Sequence, residues 1–191
     1  MLEKIPAPIG HVLESVRAGM DKLVWALPAV EAPETIVVES AAFVEDGVMP
    51  ALFTADGEGV SPPLAWRGVP AGAAALILVV EDADSPTPAP FVHALAYGFS
   101  PEDQALAAGA LDGAPGDAAR PAMGKNTYGK ARYLPPDPPT GHGPHRYAFQ
   151  LYALDREPGL PAGAGKHAVV EALKGHVVAR GRLVGIYERP G

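Results

Sequence analysis

Cysteine is absent from all 191 residues. That excludes a disulfide framework, thiolate chemistry and any cysteine-ligated zinc. Long apolar runs are missing too, and no stretch approaches the roughly eighteen residues of a membrane span. The opening "MLEKIPAPIGHVLESVRAGM" carries Glu3 and Glu14 and has no uninterrupted apolar segment, so it does not read as a signal peptide. A soluble, cytoplasmic protein is the expectation. Positive charge is scarce in one region: from Glu34 to Asp117 there are thirteen acids and one base, Arg67. With a formal net charge of -7, the composition argues against generic nucleic-acid binding. From residue 118 onward there are eleven bases and five acids. Such polarity either steers an anion toward a basic face or disappears as the halves interleave, and interleaving is the simpler reading.

Glycine and proline, 22 of each, are abundant but dispersed through apolar segments, which suits a loop-rich β protein. The length fits one domain with an appendage. The appendage is residues 1–34, where Ile9, Val12, Leu13, Val16, Met20, Leu23, Val24 and Leu27 recur at spacings of three and four. That spacing predicts an amphipathic helix, weakened at Gly10 and Gly19 and limited by Pro28. Packing on its own domain is the first reading of this arm, a dimer contact the second. From residue 35 the pattern changes to short strands: "TIVVES", "AAALILVVED", "PFVHALAYGF", "RYAFQLYALD" and "GRLVGIYER". "GKHAVVEALKG" reads as one short helix with Gly175 past its end. Residues 35–191 are therefore expected to form a mainly β, sandwich-like domain.

Three stretches carry groups suited to binding or chemistry. In "VVEDADSPTPAPFVHAL" a buried strand ends in Glu81, Asp82 and Asp84, and His93 follows on the next strand. An Asp beside a His fixes which ring nitrogen faces a pocket, although Asp also caps turns. In "PPDPPTGHGPHRY" five prolines stiffen a loop that presents His142, His145, Arg146 and Tyr147, with Gly141 and Gly143 leaving amides approachable. Gly143-Pro144 forbids the helix that a His-based zincin site needs, so no metal site is expected here. Arg146 reads equally well as the partner of a core-edge carboxylate. In "GEGVSPPLAW", Ser61 opens a stiff turn and Trp66 either walls a pocket or fills core. Neither this stretch nor "GKNTYGKARY" has the spacing of a nucleophile elbow or a P-loop, and no cofactor is expected.

These segments in this order resemble the phosphatidylethanolamine-binding protein family, in its bacterial Raf-kinase-inhibitor-like branch. The resemblance rests on "SPPLAW", "EDADSPTPAPFVHAL", "GKNTYGKARY", "PPDPPTGHGPHRYAFQLYALD" and "LKGHVVARGRLVGIYER", and it covers roughly residues 35 to 189. It implies a central antiparallel sheet packed on a smaller sheet, with a shallow pocket at one end for phosphate, phosphorylethanolamine or similar anions. Carried over, the ligand-binding residues are Asp82, Asp84, His93, Pro138, Pro139, His145 and Tyr147, with Ser61 and Trp66 in the lining turn. His93 and His145 would donate to the anion, Tyr147 would offer its hydroxyl, and Asp82 would orient an imidazole. Two departures stand out. Ala83 replaces the middle proline of the family's D-P-D, and Asp137 stands where eukaryotic members have glycine, bringing a carboxylate toward an anion site. The chain also lacks the C-terminal helix of mammalian members after its last strand, so the pocket is expected to be open, or covered by a dimer mate or the N-terminal arm.

The functional expectation is a non-enzymatic module binding a small anionic ligand, with a regulatory, kinase-inhibitor-like role as its extension and a homodimer as its assembly. The alternative is a hydrolase or lyase using Asp82 with His93 or His145 for general acid–base catalysis.

Overall fold

A computed structural model describes residues 13, 15–112 and 121–189. Nine strands in two sheets build the domain: β1 Val37–Glu39, β2 Gly47–Val48, β3 Leu64–Arg67, β4 Ala75–Asp82, β5 Phe91–Phe99, β6 Gln104–Leu106, β7 Ala122–Met123, β8 His145–Leu154 and β9 Val177–Tyr187. Helix α1 spans Lys166–Leu173. The larger sheet has the order β2-β9-β8-β4-β5-β7 and the smaller β1-β3-β6. Neighbours are antiparallel throughout, apart from the short parallel contact of β2 with β9.

β4 explains the layering. Every residue of "ALILVVED" is buried, as an apolar run covered on both faces must be. Leu76, Leu78 and Val80 pack toward the small sheet with Trp66, Phe149 and Leu183. Ile77 and Val79 face the other way, onto Val24, Val30, Val169 and Leu173. The strand's polar end keeps the same alternation. Glu81 lies on the α1 side, fully buried, where it receives the Val24 amide and the Gln150 amide nitrogen and pairs with Lys166 Nζ at 2.5 Å. Paired and bonded in this way, the buried charge is tolerated. Asp82 lies on the opposite face, opposite Tyr147 of β8.

The expected N-terminal helix is not what residues 20–30 form. Met20–Lys22, Val24–Ala26 and Pro28–Val30 are three successive 3-10 turns. Gly19, at φ +106°, and Pro28 interrupt the run, and the segment is bonded sideways instead. Trp25 N donates to Gln150 Oε1, and Arg180 Nη1 donates to the Trp25 carbonyl. Leu23, Val24 and Val30 are buried on the large sheet. The remaining positions of that apolar pattern, up to Val12, lie outside the described residues.

The two charge halves interleave, since Arg146 meets Asp84, Lys166 meets Glu81, Arg180 meets Glu34 and Arg189 meets Asp56. Gly181 of β9 lies against Ile36, the residue before β1, where an added Cβ would overlap the Ile36 carbonyl oxygen. Gly181→Ala is therefore expected to lose about 1–3 kcal/mol of stability. Gly72→Ala, which meets open space, should stay within about 0.5 kcal/mol. Urea midpoints of both variants check the pair.

Candidate functional site

At the polar end of β4 the backbone turns so that Asp84 N donates to Asp82 Oδ1 at 2.8 Å. This is the Asx turn that D-x-D favours, and it forms with alanine in the middle position. The two carboxylates then receive consecutive residues of β8. Asp82 Oδ2 lies 2.8 Å from His145 Nδ1. Asp84 accepts the Arg146 fork through Nε and Nη2, both at 2.7 Å, and the Arg146 amide at 2.9 Å. Burial alone would raise the Asp84 carboxyl, but these Arg146 bonds and Arg17 bring it below the usual carboxylate range. Asp84 is therefore a clamp on the loop, with its oxygens occupied, rather than a group offered to a ligand.

A second line of bonds continues from His145. Its Nε2 lies 2.7 Å from His142 Nδ1, and His142 Nε2 lies 2.7 Å from the Leu13 carbonyl oxygen. A carbonyl only accepts, so His142 donates from Nε2 and, when neutral, accepts at Nδ1. Burial, then the neighbouring His145, hold His142 below the usual imidazole range. His145 therefore donates from Nε2 to the neutral His142, while its Nδ1 is bonded to Asp82. The expectation that Asp82 orients an imidazole holds, whereas the expected donation from His145 to an anion does not fit, because that proton faces His142. The two histidines bond to each other instead of converging on an ion, and the described residues contain no group of three or more potential metal ligands.

His93 reaches the same group of side chains by a bulge. β5 pairs Ala94 with Val80 but Val92 with Glu81, leaving His93 as the extra residue. In a regular strand it would point away from Ala94's face; the bulge re-aims it. Its ring stands edge-on to Tyr147 with centroids 5.1 Å apart, and Tyr147 stacks beside His145 at 6.3 Å. His93 Nδ1 is 2.6 Å from the Leu134 carbonyl oxygen, and Leu134 N returns a bond to the His93 carbonyl. His93 Nε2 and the Tyr147 hydroxyl are buried and have no partner. Burial pushes His93 down and Tyr147 up, so both are neutral at neutral pH.

The proline loop roofs this group. Pro138 and Pro139 are buried; the Pro138 carbonyl accepts from Arg189 Nη1, and the Pro139 carbonyl from the His142 amide. Asp137, the residue that threatened to repel an anion, pairs with Arg189 Nη1 at 3.0 Å. The N-terminal segment straps the outside. Arg17 donates to the carbonyls of His142 and Pro144 at 2.8 and 2.7 Å and meets Asp84 Oδ1 at 3.1 Å. Ala18 N and Gly19 N donate to Ser85 O and Ala83 O. Residues 17–19 of the expected arm are thus bonded to the proline loop and to the turn after β4.

Ser61 and Trp66 stand apart from the rings. Ser61 Oγ accepts the Leu111 amide. Trp66 lies in β3, packs edge-on to Phe99 and donates from Nε1 to the Glu102 carbonyl. Both serve the core and its turns. Sequence reasoning missed Arg17, Leu13 and Arg189, which act through backbone carbonyls and leave no motif. His142 was noted as a donor, but its link to His145 was not visible.

Two sheets in this order, with an Asp–His pair and a tyrosine beneath a proline loop, are the architecture of phosphatidylethanolamine-binding proteins. Residues 39–188 match that family, and the chain belongs to it. A protein of Methanothermobacter thermautotrophicus is 39% identical over 153 residues, covering 80% of this chain and 98% of the relative. The crystal structure of a phosphatidylethanolamine-binding protein homologue from Chlamydia trachomatis superposes with a TM-score of 0.73 at 35% identity, covering 82% and 99% of the two chains. An Escherichia coli structure, described as a new member of the mammalian family, gives 0.72 at 25% identity, covering 81% and 98%. No described helix is long and apolar enough to cross a membrane.

Two tests probe this geometry. His93 and His142 have folded pKa values below their unfolded ones, so the unfolded chain binds more protons as pH falls. Their stabilisation is complete above the unfolded value of about 6.5 and is lost as pH drops through the folded values, by up to about 1.4 kcal/mol per pH unit for each. Urea midpoints measured from neutral pH downward should fall steadily, and a flat profile contradicts the assignment. Arg17→Met should speed hydrogen exchange at the Ala18 and Gly19 amides while β8 amides keep their protection; unchanged exchange at those two positions refutes the strap.

Proposed function

We propose that the hollow lined by His93, Tyr147 and the Asp82–His145 pair is a receptor for a small phosphate-type anion, such as phosphate or a phosphorylethanolamine group, and that the protein works by binding rather than catalysis. One observation carries the reading: His93 Nε2 and the Tyr147 hydroxyl lie on adjacent rings, buried and without partners. Each orphaned polar group costs about 1–3 kcal/mol, and two together mark a place that a polar ligand completes.

The surroundings fit an anion. The charge of Asp82 is met by His145 and that of Asp137 by Arg189. A cleft of about 500 Å³ alongside Leu134, lined by Lys130 and Arg132 together with Glu58, Asp112 and Tyr128, offers room for approach. Binding is favoured over the hydrolase or lyase alternative because the candidate nucleophiles are engaged elsewhere. Ser61 Oγ accepts the Leu111 amide, and Ser85 Oγ accepts the Phe91 amide and bonds Thr87.

Tyr147→Phe separates a receptor from an ordinary core. It removes a hydroxyl that has no partner in the free protein, so unliganded stability should stay level or rise by up to about 1 kcal/mol. Affinity for phosphate or phosphorylethanolamine, measured by calorimetry, should fall by roughly three- to tenfold, the worth of one hydrogen bond. Equal affinity of variant and wild type, or no heat from the wild type, overturns the reading.

A further inference from the structure

The same two atoms constrain the form in which a ligand arrives; this step rests on the receptor reading above. His93 Nδ1 faces the Leu134 carbonyl at 2.6 Å, and a carbonyl cannot donate, so the Nδ1 proton is fixed. The Leu134 amide holds the His93 backbone from the other side. Nε2 of the neutral ring is then a bare lone pair. The groups around it come from three elements. Asp82 ends β4, Asp137 lies in the proline loop, and His145 and Tyr147 belong to β8; Asp82, His145 and Asp137 all act electrostatically on His93. Both ring nitrogens of His145 are taken, by Asp82 and His142.

A phosphate ester with acceptor oxygens only would set lone pair against lone pair at His93 and add a second negative charge near two carboxylates. One O–H on the ligand reverses the sign of that contact. Tyr147 remains a phenol, held far from ionisation by burial, and supplies a donor for a neighbouring oxygen.

We propose that His93 is a specificity-determining residue that selects the proton-bearing form of a phosphate-type ligand, with the ligand O–H donating to Nε2. A dianion enters only by taking one proton from solvent. The balance is site plus ROPO₃²⁻ plus H⁺ giving site·ROPO₃H⁻, with no bond to phosphorus made or broken. Binding is therefore a proton-uptake event, and a proton-free isostere is disfavoured.

The test is calorimetry of the full chain with O-phosphorylethanolamine between about pH 6.5 and 8.5, in two buffers of different ionisation heat, beside nitrogen NMR of the imidazoles. Phosphate monoesters lose their second proton near about pH 6. At the alkaline end, uptake should therefore approach about one proton per ligand and Kd should rise about tenfold per pH unit. Sulfate, which brings no proton, should bind at least about tenfold more weakly than the phosphate ester at the acid end. In the free protein His93 should show a protonated Nδ1 and a bare Nε2, and the ligand should shift Nε2 alone toward the protonated position. Binding with a pH-independent Kd and no proton uptake overturns this inference while leaving the receptor intact, and so does an Nε2–H tautomer in the free protein. Absence of heat and of any shift with both probes at every pH overturns the receptor itself, and this inference with it.

Discussion

Two carboxylates at the end of one strand hold the site together. β4 is buried along its whole length between β5 and β8, so Asp82 and Asp84 at its end are fixed points. A carboxylate in such a position needs charged or N–H partners, since an unpaired buried charge costs several kcal/mol. Asp84 takes the fork and amide of Arg146 and the Arg17 guanidinium, and Asp82 takes His145 and its own turn's amide. Residues 145 and 146 are consecutive on β8, so their side chains leave opposite faces and grip different carboxylates. The register between β4 and β8 is locked at the end where the site lies. The proline loop, which feeds straight into His145, inherits that lock.

The strand pattern and the central antiparallel sheet were legible in the sequence because β4, β5 and β8 are apolar runs bounded by turn residues, the signal that burial on both faces leaves. Helix α1 was legible too, with Gly175 at φ +71° just past its end. The N-terminal arm was misread over residues 20–30, where apolar spacing of three and four is satisfied by successive 3-10 turns between glycine and proline. Spacing reports which side chains are covered, and the backbone that covers them is set by cross-chain bonds from Gln150 and Arg180. The short strands β2, β6 and β7, of two or three residues, carry too little pattern to be read.

At the site, the rings named from the sequence stand together, and one of them makes a different contact from the one expected. Asp82, His93, His145 and Tyr147 do converge, although His93 depends on a bulge that no residue type announces. Trp66 and Ser61 were drawn in because their turn has a family-like motif, yet their polar atoms serve neighbouring backbone. His145 was expected to face a ligand. It turns to His142 instead, because the glycines at φ +74° and +84° on either side of His142 fold that residue back over β8. Such a reversal is a property of loop geometry, and composition does not encode it.

A small anion makes few contacts, so a receptor for it gains little from area and much from groups that need no reordering. On the proposed reading, every element around His93 and Tyr147 serves that end. Five prolines limit the loop, Arg189 pins the Pro138 carbonyl and the Asp137 carboxylate, Arg17 straps its outer side, and Leu134 holds His93 through both backbone and ring. Such rigidity has a consequence for the unliganded molecule: the rings cannot rotate to find substitute partners, so their orphaned atoms remain orphaned. If the site is a receptor as proposed, the destabilisation built into its free form and its readiness to accept a ligand are one property. It follows that residues which stiffen the site without touching a ligand, Arg17 and Arg189 foremost, set how much of that stored cost a ligand can recover.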